Sequence, residues 1–275
     1  MPKALGRLPP KQKLQTRAGM LEAVVSGAGA PALVLVNGAG VTLEGWRALY
    51  PAIEQYGTVF AWNRFGAGGS DHPRLAQTGA VVIASLRELL GYAGLRPPYL
   101  LVAHSLGGLY ANLFARVHPA EVAGIVLLEA THPRDRDMLK AHEGRLAAVL
   151  GKLFALPQRL FCSNLHSEIG WIDETVRQIE AAGPFPAVPL AVVTGGRQPP
   201  RWLVPADALR IRREHQRQLA QLSPLGEQLV AAGSGHFPQL SEPWLVIDAV
   251  KRVAARAGFR TAAGPGAGIP PGPAA

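Results

Sequence analysis

The sequence predicts an α/β protein: a mostly parallel central sheet with helices on both faces and one helical insertion. Short, continuously apolar runs ending in small or polar residues alternate with stretches in which apolar residues recur every three to four positions. Runs of the first kind read as strands buried on both faces, because neither side of such a strand is left polar for water. Strands alternating with helices imply right-handed crossovers and parallel pairing. The alternation breaks once, between His132 and Pro189.

The strands are expected within 30–40 (APALVLVNGAG), 58–63, 98–105, 122–131, 189–196 and 227–235. Ahead of them, MLEAVVSGAGAPALVLV reads as an antiparallel hairpin joining the sheet's edge. Helical spacing links Leu43, Trp46, Leu49 or Tyr50, Ile53 and Tyr56, then Val82, Leu86, Leu89, Leu90 and Ala93, then Leu109, Leu113 and Val117. A last helix is expected to open at Ser241 as N-cap, with Glu242 and Pro243 in its first turn and Trp244, Ile247, Val250 and Val253 on its buried side. Between His132 and Pro189, apolar residues keep helical spacing at Leu146, Val149, Leu150, Leu153 and Phe154, followed by Phe161, Trp171, Ile172, Val176 and Ile179. A crossover needs little more than a dozen residues, so the excess reads as a cap over the carboxyl edge of the sheet. The expected division is a core of 20–131 and 186–258, a cap of 132–185, a basic N-terminal segment of 1–19 and a disordered tail of 259–275.

Lysine and arginine number 28 against 19 acidic residues, a net charge of +9. Part of the excess is the acid-free N-terminal stretch, and another part is Arg210, Arg212, Arg213 and Arg217, which read as a solvated helix face. No zinc-finger, RNA-binding or interleaved basic and aromatic pattern accompanies them, so no nucleic-acid partner is expected. One cysteine, Cys162, cannot form an internal disulfide. With no secretory signal pattern and no run near the ~18 apolar residues that span a bilayer, the expectation is a cytoplasmic protein without a membrane partner.

The chemistry concentrates at the strand ends. In LLVAHSLGGLY, a buried strand stops at His104-Ser105 and a helix starts at once. Serine on a sharp strand-to-helix bend, between Ala103 and Gly107, fits a nucleophile elbow, whose tight turn only small neighbours permit. The helix beginning at Leu106 brings free N–H groups and a positive dipole end, which suit an oxyanion. A second donor is expected from the Asn37-Gly38-Ala39-Gly40 turn, making the N–H groups of Leu106 and Ala39 the candidate oxyanion hole. The alternative for that turn is a tight bend that merely needs glycine. A dinucleotide loop is excluded, because Leu43 stands where the last glycine of G-x-G-x-x-G would be.

Serine alone is a weak nucleophile and needs a base. His236, in GSGHFPQLSEP between the last strand and the last helix, is placed to reach Ser105; His72, in a loop, is the reserve. His142-Glu143 lacks the second histidine of H-E-x-x-H, and no Walker lysine is present, so neither a metal nor an organic cofactor is implied.

The ordered set NGAG, WNRFGAGGSD, AHSLGG and GSGHF resembles the α/β-hydrolase fold family over nearly the whole chain, from about Met20 to Gly258. The resemblance implies a Ser-acid-His order along the chain. The family's usual acid follows the strand at 189–196, but VVTGGRQPPRW has none before Asp207, which is expected to cap a helix. Glu129, ending IVLLE, stands where some lipases and esterases of this fold draw their acid, and a carboxylate placed after that run needs a partner. Glu129 is therefore the candidate acid, with Asp207, Asp135 and Asp137 as alternatives. Asn63 stands where the family usually has aspartate, so Arg64 and Asp71 are read as loop supports.

The activity implied is a serine hydrolase cleaving an ester or related acyl substrate through a Ser105 acyl-enzyme. An acyltransferase, carbon–carbon hydrolase or perhydrolase on the same triad, and a non-enzymatic receptor or scaffold, are the alternatives. Asn37, Gly38, His104 and Trp171 are expected to border a small-molecule acyl substrate, apolar or aromatic in view of the Leu, Phe and Trp of the insertion.

Overall fold

The computed structural model describes residues 6–135, 165–197, 204 and 206–259. Its centre is an eight-stranded sheet built from β1 (Gln12–Thr16), β2 (Gly19–Ser26), β3 (Ala32–Val36), β4 (Thr58–Trp62), β5 (Tyr99–His104), β6 (Val122–Leu128), β7 (Leu190–Gly195) and β8 (Gly226–Ala231). The spatial order is β1-β2-β4-β3-β5-β6-β7-β8. All pairings from β4 through β8 are parallel, while β2 runs antiparallel to both β1 and β4.

Strand periodicity explains the continuous apolar runs. Val34, Val36, Leu101, Ala103, Ile125, Leu127 and Val192 point into one core layer, and Leu33, Leu35, Leu100, Val102, Val126, Leu128 and Val193 into the other. Both faces exclude water, so both sets of alternate positions must be apolar. The first layer is closed by α2 (Gly79–Tyr92) and α3 (Gly107–Val117). The second is closed by short turns over 43–56, among them α1 (Tyr50–Ile53), and by the C-terminal helix.

Several elements differ from the sequence expectation. The edge hairpin is β1 with β2, not β2 with β3, and β2 inserts beside β4; the segment expected to be a mere basic N-terminus therefore carries a strand. β8 is an edge strand, half-buried with Val230 exposed, because it lacks a partner on one side. The apolar spacing over 43–56 is realised as 3-10 and α turns around Pro51, yet it still buries Leu43, Trp46, Leu49, Tyr50 and Ile53. Val117 ends its helix exposed.

Of the expected insertion, residues 136–164, including Leu146 to Phe154 and Phe161, lie outside the described residues. The rest forms α4 (Leu165–Gly170) and α5 (Ile172–Ala181), whose Val176 and Ile179 pack into the first core layer against α2 and α3. Next come α6 (Ala206–Ala220), the short α7 (Pro238–Ser241) and α8 (Pro243–Arg256). Ser241 does not cap the last helix: its Oγ lies 2.6 Å from Ser234 Oγ and 3.0 Å from the Phe237 carbonyl oxygen, the two acceptors open to its one O–H, and Glu242 takes the cap position. Trp244, expected on the buried side, is exposed, and Val246, Ala249, Val250 and Val253 form that side instead. No helix among the described residues is long and apolar enough to cross a membrane.

Candidate active site

The carboxyl ends of β3, β5, β6 and β7 and the loop after β8 converge on one polar cluster. β5 delivers Ser105 at its last turn with φ 52°, in the left-handed region that L-residues occupy at a cost. That bend lifts the side chain off the sheet. Two residues on, position 107 is glycine because a Cβ there would run into the backbone carbonyls of Val36, which ends β3, and of Asn37 after it. The Ser105 N–H donates to the Leu128 carbonyl (3.1 Å), and its own carbonyl accepts from Gly108 (2.9 Å) and Thr131 (3.0 Å), which fixes the bend from both sides.

His236 Nε2 lies 3.1 Å from Ser105 Oγ. The loop carrying it is pinned at several points. His104 Nε2 donates to the His236 carbonyl at 2.7 Å, Arg197 N–H donates to the Ser234 carbonyl at 2.9 Å, and Ser234 Oγ donates to Glu242 at 2.7 Å. The other ring nitrogen, His236 Nδ1, faces Glu129 Oε2 at 3.5 Å, a loose contact.

Glu129 is also left-handed, with φ 45° at the end of β6. Its carboxylate is buried, accepting from Gly195 N–H through Oε1 (2.7 Å) and from Arg212 Nη2 through Oε2 (2.6 Å). Burial alone would raise its pKa; the charge of Arg212, aided by His236, more than offsets that and holds the carboxyl down at about 2. The other acids are elsewhere engaged. Asp135 is buried and pairs with His215 Nδ1 at 2.6 Å, and Asp207 is exposed in the first turn of α6, where it meets the helix dipole without being the cap. Asp137 lies outside the described residues, and His72 is exposed in its loop.

The turn after β3 packs against the serine. A Cβ on Gly38 would come within 3.0 Å of Ser105 Cβ and 2.9 Å of His104 Nδ1. Arg64, buried beneath the turn, donates to the carbonyls of Asn37 (2.8 Å) and Gly38 (2.7 Å) and pairs with buried Glu168, which in turn accepts from Gly40 N–H at 3.2 Å. Arg64 is thus a loop support, as is Asp71, which accepts from Met20 N–H. With those carbonyls held and Gly40 N–H engaged, Ala39 N–H and Leu106 N–H donate to no protein acceptor among the described residues.

Two residues expected to border a substrate are supports instead. Asn37 is buried, its amide donating to the Trp62 carbonyl (3.2 Å) and accepting from Trp46 Nε1, so it has no surface to offer. His104 is 1 % exposed; burial, reinforced by the charge of His236, pushes its pKa down to about 3, so the ring is neutral and Nδ1 is a lone pair without a partner among the described residues. Trp171 is 40 % exposed at the junction of α4 and α5. Arg212, read from the sequence as part of a solvated face, instead turns its guanidinium inward onto Glu129. It is partly buried and in helical register with the buried stripe of α6, Ala208, Leu209, His215, Gln216 and Leu219, a periodicity readable in the sequence. Among the described residues, no group of three or more His, Cys, Asp or Glu side chains could hold a metal ion.

The arrangement can pass a proton from the Ser105 hydroxyl to His236, with a carboxylate behind the imidazole and two unengaged N–H groups beside the serine. The model of the alpha/beta hydrolase family matches residues 33–249. Among solved structures, a thermophilic esterase from Thermogutta terrifontis superposes with a TM-score of 0.64 at 19 % identity, covering 90 % of this chain and 99 % of that one. The enol-lactonase from Burkholderia xenovorans LB400 superposes with a TM-score of 0.67 at 18 % identity, covering 89 % and 100 %. At these identities the likeness is one of fold. The uncharacterized protein YqjL of Bacillus subtilis is 32 % identical over 103 residues, 38 % of this chain and 41 % of that protein. The first two curated relatives matched are spanned over only 14 % and 41 % of their length.

Proposed function

The chain belongs to the alpha/beta hydrolase family, and from that membership we propose that it is a serine hydrolase acting on an ester or related acyl substrate. In this reading Ser105 Oγ gives its proton to His236 Nε2 and attacks the substrate carbonyl carbon. The N–H groups of Leu106 and Ala39 take the oxyanion, and His236 returns the proton to the leaving group. Water then repeats the sequence on the acyl-enzyme. Glu129 orients the imidazole and stabilises the imidazolium, which is what a carboxylate behind Nδ1 does in a triad.

The observation that carries the reading is the Ser105 Oγ to His236 Nε2 contact of 3.1 Å, continued to a buried carboxylate on the far side of the ring. A scaffold has no physical need for serine, base, acid and free donors at one strand end. The half-buried Phe237 beside His236 favours an apolar acyl or aromatic group. The insertion borders the site through Glu168, which supports its role as a cap.

The test is labelling with a fluorophosphonate, then turnover of p-nitrophenyl esters of increasing chain length. Ser105→Ala should abolish labelling and reduce hydrolysis to background with an unchanged melting temperature. Full labelling of that variant would place the nucleophile elsewhere, and a wild type that binds ligands without labelling or hydrolysing any ester would make it a receptor.

A further inference from the structure

The carboxylate behind His236 is not the histidine's alone. Arg212 Nη2 takes Glu129 Oε2 at 2.6 Å and lies 3.4 Å from the Glu129 carbonyl, while His236 Nδ1 stands off the same oxygen at 3.5 Å. The oxygen that faces the imidazole is thus shared with a charge-assisted bond from Arg212, the shorter of the two contacts. α6 holds the guanidinium there firmly: one turn on, Gln216 donates to the Ala130 carbonyl at 2.7 Å, and His215 pairs with Asp135 at 2.6 Å.

We propose that Arg212 is a positioning residue for Glu129 and His236, and that its charge sets the lower pH limit of the site's activity. The catalytic part of this inference rests on the acyl-enzyme reading above. Two nitrogens touching one oxygen at 2.6 and 3.5 Å are at most about 6 Å apart. At that distance a second unit positive charge is opposed by a factor of about three in water-like surroundings and of about a hundred at the effective dielectric of a protein surface. Removing that charge is therefore expected to move the acid side of the pH–rate profile upward.

Among the described residues, the other groups facing this cluster are few. From β5 comes His104, neutral and 4.9 Å from the His236 ring, and from the segment after β6 come Glu129, Asp135 and His132, the last held neutral by burial. From α6 come Arg212 and His215, the latter stacked on His132 at 4.5 Å. Asp135 also acts on Arg212, and among the described residues Arg212 is the cationic side chain that pairs with Glu129 beside His236.

The experiment measures the fluorophosphonate inactivation rate of Ser105 from pH 5 to 9 in wild type, Arg212→Lys, Arg212→Gln and Arg212→Met. The neutral variants should move the acid-side midpoint up by about half a unit or more, while Arg212→Lys, keeping the charge, stays near wild type. Arg212→Gln retains a donor for Glu129 and covers the case in which the methionine variant fails to fold. Lower rates with an unmoved midpoint in the neutral variants would reduce Arg212 to a structural ion pair and overturn the proposal. A wild type that does not label at Ser105 counts against the acyl-enzyme reading instead. The pH titration of the His236 Cε1 proton, followed by NMR in the same proteins, needs no nucleophile: an upward move in the neutral variants supports the effect of Arg212, and coincident curves reject it.

Discussion

Glu129→Gln tests whether the acid is held ionised inside the fold. The carboxyl is depressed from 4.5 to about 2 although it is buried, because Arg212 and His236 outweigh the desolvation. Above pH 4.5 the group is ionised in folded and unfolded chains alike, and the full stabilisation is present. As pH falls below 4.5 the unfolded chain takes up a proton that the folded one refuses until about pH 2, so the stabilisation is lost across that window. The drop corresponds to roughly 3 kcal/mol, lost at about 1.4 kcal/mol per pH unit. Glutamine keeps the shape and has nothing to titrate. Urea unfolding from pH 7 to 3.5 should show wild type more stable by roughly 3 kcal/mol at neutral pH, the gap narrowing steadily below pH 4.5. Ester turnover should fall about a hundredfold or more, since the imidazolium loses its counter-charge. Parallel stability curves over the whole range would refute the ionised, paired carboxylate.

Gly38→Ala should force the turn off Ser105 and His104, because the new Cβ would lie 3.0 and 2.9 Å from them. Labelling should slow by about tenfold or more, with a stability loss of about 1–3 kcal/mol; wild-type labelling kinetics would mean the turn does not press on the serine. Asp207→Asn should leave turnover near wild type and change unfolding free energy by about 1 kcal/mol or less, through the α6 dipole alone. Loss of activity there would move the acid from Glu129 to the strand after it.

The sheet was readable because burial on both faces writes an apolar signature, unbroken in β3 and β6 and in β5 up to His104. β1 was not. Gln12-Lys13-Leu14-Gln15-Thr16 buries only its last residue, and an edge strand held by backbone bonds to β2 leaves little trace in side-chain polarity. The positions of Ser105, Glu129 and His236 were legible as strand-end residues in order. Their neighbours' duties were not, since a buried amide such as Asn37 and a ligand-facing one have the same letter. Arg212 shows the limit most clearly: its inward position follows from the α6 stripe, but its partner lies 83 residues away in sequence and is known only once β6 and α6 are packed together.

Both residues with non-glycine left-handed backbone among the described ones, Ser105 and Glu129, end adjacent parallel strands. Each conformation costs roughly 1–2 kcal/mol, and the reason lies in the alternation that made the strands readable. Continuing in extended conformation, residues 105 and 129 would direct their side chains into one of the two apolar layers, where a hydroxyl and a carboxylate would be desolvated without partners. Turning left-handed at the last position lifts both out of the layers to the carboxyl edge. There Ser105 finds His236 and Glu129 finds Gly195 N–H and Arg212. The strain is thus the local consequence of ending a doubly buried strand in a polar group. Its appearance on neighbouring strands brings the two polar groups to opposite sides of one histidine.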